Sequence, residues 1–147
     1  MAENEIIRKI ELAVFSNSIA LEMGLKIIDL AKSRNQRIAI EICRLNHSVF
    51  LYVDDALTAD KLNWLRRKAN LVKQFEESSL GVKKDFADKN LTLEKPFGLN
   101  EKDFIVRGGS IPIFVKNAGM VATITVSGLP DIEDHNIIIE ALQGKYF

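Results

Sequence analysis

Three places in the sequence carry residue types that could do chemistry. The first is His135. Ile138, Ile139 and Leu142 follow it at three, four and seven positions, spacings that share one face of a helix. The imidazole therefore faces the apolar side of its element. There it is either a ligand or acid–base group in a half-buried pocket, or a hydrogen-bonded core or interface histidine. The second place is the turn Arg107-Gly108-Gly109-Ser110. Two glycines allow unusual backbone angles and close approach of a ligand, and successive amides can cradle an anion. The other reading is a tight bend into a following strand. The third is Arg66-Arg67-Lys68, a basic knot that could clamp a carboxylate or phosphate or form an ordinary solvated helix face. Trp64 beside it reads as core and not as a stacking platform.

Other chemistries find no support. His47, His135 and Cys43 are too far apart in sequence to make a metal site by spacing. No Walker A or GxGxxG phosphate loop occurs. Ser110 or Ser127 could join His135 and Asp134 in a triad on paper, but the nucleophile elbow GxSxG is absent. No catalytic constellation is visible. Lys+Arg and Asp+Glu both number 20, so the formal net charge is zero. No net field gathers phosphates, which argues against a nucleic-acid partner. No run of about 18 apolar residues exists to cross a membrane, and the opening residues lack the basic and apolar regions of a signal peptide. The one cysteine, Cys43, reads as a small buried hydrophobe. A cytoplasmic setting is expected. With 47% hydrophobic and 27% charged residues, residues 1–147 are expected to form one folded domain.

The elements that must position these residues follow from periodicity. Residues 2–34 read as helix with a break at Phe15-Ser16-Asn17-Ser18. Ile6, Ile10, Ala13 and Val14 lie on the first part, and Leu21, Leu25, Ile28 and Leu30 on the second, which Ser18 caps. Arg37 to Leu45 alternates with period two. Asn46-His47 turns the chain, and Ser48 to Asp55 returns, an antiparallel hairpin. Thr58 to Phe75 is the clearest helix, with Leu62, Leu65, Ala69 and Val72 on one stripe and Trp64, Leu71 and Phe75 on its flank. Ser78, Ser79 and Gly81 end that pattern. Gly81 to Asn100 reads as one short helix or turn plus a surface loop, and a helical turn after Asn100 could lead into Arg107. Ile111 to Val115 and Met120 to Ser127 form a second hairpin around Lys116-Asn117-Ala118-Gly119. Ile132 to Leu142 is the last helix, with Asp131 as its N-cap and Glu133 and Asp134 at its positive end. Hairpins flanked by helices predict an α+β, three-layer arrangement.

Three motifs, in one order, carry a resemblance. They are NWLRRKANLVKQFEESS (Asn63 to Ser79), GGSIPIFV (Gly108 to Val115) and TVSGLPDIEDHNIIIEAL (Thr125 to Leu142). Together they resemble the small uncharacterised proteins related to GlcG, the PduO C-terminal domain and the HbpS-like heme-binding or heme-degrading proteins. The resemblance runs from near Ser18 to Leu142. It implies a GlcG-like, profilin-like α/β/α fold with an antiparallel central sheet and helices on both faces. It also implies homo-oligomers, dimer or larger, and a module for a small molecule, heme or another tetrapyrrole or anionic ligand. The alternatives are a non-catalytic oligomeric scaffold and a heme-degrading type of enzyme. The candidate ligand-binding residues are His135, Arg107, Gly108, Gly109, Ser110, Arg67 and Lys68, of which His135, Gly108, Gly109, Arg67 and Lys68 match the family's motif positions. Arg107 stands where relatives often have histidine, so a role for that histidine would be lost or changed in this chain.

Overall fold

The computed structural model describes residues 5–147; the expected helix start at residues 2–4 lies outside them. From Glu5 onward the first helix is not formed. Instead Ile10–Leu12 is a short strand, β1, with Ile10 and Leu12 buried and Glu11 exposed. The spacing of Ile6, Ile10, Ala13 and Val14 suits a helix, but a strand of three residues is too short to show a period of its own. Helix α1 (Asn17–Ser33) is capped by Ser16, two residues before the expected Ser18, with the Ser16 hydroxyl accepting from the Ile19 N–H. Its buried stripe is Ala20, Met23, Ile27 and Ala31 together with Ile28; Leu21 and Leu25 face outward.

The rest of the order follows the sequence closely. Strands β2 (Ala39–Arg44) and β3 (His47–Val53) form the first hairpin, and helix α2 (Asp60–Phe75) follows. Ser78 and Ser79 do not merely end α2. Ser78 caps helix α3 (Ser79–Lys89), its hydroxyl accepting from the Gly81 N–H. A long loop, with turns around residues 93–97 and 101–103, leads to the hairpin β4 (Ser110–Val115) and β5 (Gly119–Ser127), and α4 (Asp131–Leu142) closes the chain. Asp131 begins α4 but does not cap it; no side chain does.

The five strands form one sheet in the order β1-β4-β5-β2-β3. Both hairpins and the β2–β5 pair are antiparallel. The short edge strand β1 pairs parallel with β4, Ile10 opposite Ile113, so the sheet is mixed at that edge. The expected three-layer α+β arrangement holds. Alternation sends Ile40, Ile42, Ile111, Ile113, Ala122, Ile124 and Val126 to the face covered by α1 and α4, where they form the main core with Met23, Ile27, Ile138 and Leu142. The other face carries Ser110, Thr123, Thr125 and Ser127, and α2 packs across β5, β4 and β2. A second, smaller cluster of Leu71, Val82, Phe86 and Leu93 lies between α2, α3 and the loop. The three motifs converge where α2 packs on the polar sheet face beside the end of β5 and the start of α4.

Candidate functional site

Helix α2 brings an unexpected residue to this meeting point. Leu65, Lys68, Ala69 and Val72 all lie on its buried face, the i, i+3, i+4, i+7 pattern of a core stripe. Lys68 therefore does not belong to a solvated basic knot. Its side chain is 3% exposed, and its ammonium donates to the Asp134 carboxylate at 2.8 Å and to the Val126 carbonyl at 3.0 Å. The other oxygen of Asp134 accepts from the Leu129 N–H at 3.0 Å. Burial is the largest influence on both groups. It pushes Asp134 up to about 6 against the pull of Lys68, and it holds Lys68 below the ordinary lysine range against the pull of Asp134.

The glycine turn is shaped around this pair. Gly109 has φ +126°, and a Cβ there would lie 2.6 Å from the Val126 carbonyl oxygen and 2.8 Å from the Lys68 Nζ. Gly108 donates its N–H to the Asp131 carboxylate at 3.3 Å. Asp131 also accepts from Lys83 at 2.6 Å, and Lys83 and Gly108 together hold it below the usual carboxylate range although burial opposes them. The anion that the turn's amide faces is thus the protein's own. Ser110 is fully buried: its N–H donates to the Ser79 hydroxyl at 3.0 Å, and its hydroxyl bonds that of Thr125 at 2.8 Å. Gly108, Gly109, Ser110 and Lys68 are brought together, but as the joint between α2, α3, β4 and α4.

Above the joint lies a cleft of about 170 Å³, lined by Lys61, Trp64, Arg107, Ser127 and Leu129, with Lys68, Asp131 and Asp134 at its floor. Trp64 is half-buried in its wall and is not core. The Arg67 and Arg107 guanidiniums sit 5.2 and 5.5 Å from its ring centre, within reach of a cation–π attraction. The other arginines, Arg8, Arg34, Arg37, Arg44 and Arg66, each have a carboxylate or amide partner. Arg67 and Arg107 have none among the described residues, and neither does Lys61.

His135 stands apart from this group. It is 3% exposed on the inner face of α4, as its spacing predicted, but it lines neither of the two cavities described. Its Nδ1 is buried without a hydrogen-bond partner, and burial pushes its pKa down to about 4, so the ring is neutral. Ile138 and Leu142 beside it are already buried by the chain's own core, so no neighbouring subunit is needed to cover them. His47 lies exposed at the β2–β3 turn. Sequence reasoning missed Lys61, Trp64, Asp131 and Asp134 as site residues. One signal was available: a lysine inside an apolar stripe requires a buried acid.

The family model described as "Haem degrading protein HbpS-like" matches residues 15–143. A UPF0303 protein of Rhizobium rhizogenes is 40% identical over 128 residues, 87% of this chain and 78% of that protein. The crystal structure of the Ybr137w protein superposes with a TM-score of 0.82 at 28% identity, covering 90% of this chain and 78% of that one. The PduOC:heme complex shares the fold, with a TM-score of 0.72 at 11% identity over 88% of this chain and 96% of that one. A model matched across nearly the whole fold, with relatives this similar over most of their length, places the chain in the HbpS-like family, among its UPF0303 members.

Proposed function

We propose that the protein is a binding module for a small anionic molecule, a carboxylate or phosphate, seated in the Trp64 cleft. The observation that carries this reading is the partnerless Arg107 guanidinium over the indole that walls the cleft. In a chain of zero net charge, Lys61 and Arg107 give the cleft a local positive excess, because Asp131 and Asp134 are already engaged by Lys83 and Lys68. Arg107 supplies a planar fork matched to two oxygens of a carboxylate or phosphate. The Trp64 ring and Leu129 supply an apolar wall, and Ser127 a hydroxyl.

The fit of a heme to this cleft is poor. Cavities for drug-sized ligands enclose roughly 300–1,000 Å³, against about 170 Å³ here. Heme iron is held by His, Cys, Met or Tyr, and among the described residues none of these lines either cavity.

Calorimetric titration with inorganic phosphate and with succinate tests the reading. Arg107→Met is expected to weaken binding roughly tenfold or more, the worth of a hydrogen bond to a charged group. Arg66→Met, which removes a guanidinium bonded to Asp103 on the outer side of α2, is expected to leave it unchanged. Equal binding by the wild type and Arg107→Met would contradict the assignment. We also propose a homo-oligomer, supported by the exposed Leu21, Leu25 and Leu51; light scattering against the 16.5 kDa chain mass tests it.

A further inference from the structure

The loop between α3 and β4 has a consequence beyond the cleft. It is pinned at its far end by α2, where Arg66 donates to Asp103 and to the Lys102 carbonyl, and Asn70 to the Asp103 carbonyl. At its near end Leu91 N–H bonds the Phe86 carbonyl. Between these anchors the chain stands away from α3 and leaves a groove of about 1,150 Å³, large enough for a drug-sized ligand. Its walls are the outer side of the smaller core cluster: Phe86, Leu91, Leu99, Phe104 and Val106. The charged side chains on it are Arg67 on one wall and Glu94 and Glu101 on the loop. Neither acid bonds Arg67, whose Nε is buried without a partner.

We infer that this groove is a second ligand site, for an amphipathic monocarboxylate whose apolar body lies on Phe86, Leu99 and Phe104 and whose carboxylate pairs with Arg67. An apolar floor with one unpaired cation selects a molecule with one charged end, since burying the chain is favourable and the head finds a partner. Glu94 and Glu101 repel a second anionic group, which separates this ligand from a polyanion. The site is distinct from the Trp64 cleft, which Arg67 does not line; the two are joined only by the stacking of Arg67 on Trp64.

Displacement of the fluorescent fatty acid cis-parinarate from the full-length protein tests the inference. Dodecanoate, below its micelle concentration, is expected to displace the probe at least tenfold more effectively than dodecanol or dodecyltrimethylammonium. Arg67→Met, which keeps length and loses charge, is expected to weaken dodecanoate about tenfold or more. Ala87→Trp, which fills the groove from exposed α3, is expected to abolish it and to leave phosphate binding in the cleft intact. Arg107→Met is expected to do the reverse, so failure of one site is distinguishable from failure of the other. No probe binding, equal displacement by the neutral or cationic chain, or unchanged dodecanoate affinity in Arg67→Met or Ala87→Trp would each overturn the inference.

Discussion

Lys68 and Asp134 lie 66 positions apart in the chain and 2.8 Å apart in the fold, both almost fully buried. They join the Trp64 helix to the start of α4, and the glycine turn closes over them. Each charge is solvated by the other and by a backbone group. Removing one partner strands the other, whereas removing both need not destabilise, because apolar replacements of similar size avoid the desolvation.

Lys68→Met is therefore expected to destabilise the fold by about 3–5 kcal/mol, the usual consequence of an uncompensated buried charge. Combining it with Asp134→Leu is expected to recover most of the loss. Urea denaturation of the two single variants and the double variant measures this. A single variant as stable as the wild type would mean that the pair does not hold the joint.

His135 predicts a pH dependence with a definite sign. Its folded pKa is about 4 against an ordinary 6.5, so between those values the unfolded chain binds the extra proton. Its neutral burial contributes stability fully present above pH 6.5 and lost as pH falls toward 4, by up to about 3 kcal/mol. Asp134 acts in the opposite sense. Raised from 3.8 to about 6, it contributes stability present below 3.8 and lost as pH rises through 6. The test is the difference between wild type and His135→Gln, which cancels Asp134. The variant is expected to lose less stability than the wild type from pH 7 to pH 4.5; parallel curves would contradict a neutral buried ring.

Gly109→Ala combines a left-handed backbone angle with contacts of 2.6 Å to the Val126 carbonyl and 2.8 Å to the Lys68 ammonium. Backbone strain alone is worth about 1–3 kcal/mol, and the contacts add to it. Gly119→Ala also has φ in the left-handed region, +87°, but meets nothing within 4 Å. It is expected to carry only the strain. Thermal unfolding of the two variants separates the terms, with Gly109→Ala melting at the lower temperature.

The legible parts of this protein were those with a long period or a repeated one. The hairpins and the α2 and α4 helices announced themselves by alternation or by a four-residue stripe, and so did the burial of His135. Strand β1 did not, because Ile10 and Leu12 gain their meaning from Ile113 and Val115, about a hundred residues away. Lys68 was half legible: its place in the stripe could be read, but its acid lies on another helix. The GG turn looked like an anion cradle, and only the fold shows that Asp131 stands before it. Arg67 and Arg107 were legible as cations, but not as the two left without partners on Trp64.

On this reading Arg107, with Lys61 beside it, holds a small anion against Trp64. The chain has one tryptophan, so its fluorescence reports the site directly. Titrating inorganic phosphate at constant ionic strength, with chloride as the control, is the most direct measurement. A saturable change in emission with phosphate and none with chloride, weakened roughly tenfold or more by Arg107→Met, is the expected result. An emission spectrum that ignores phosphate, or that responds equally in wild type and Arg107→Met, would contradict the account.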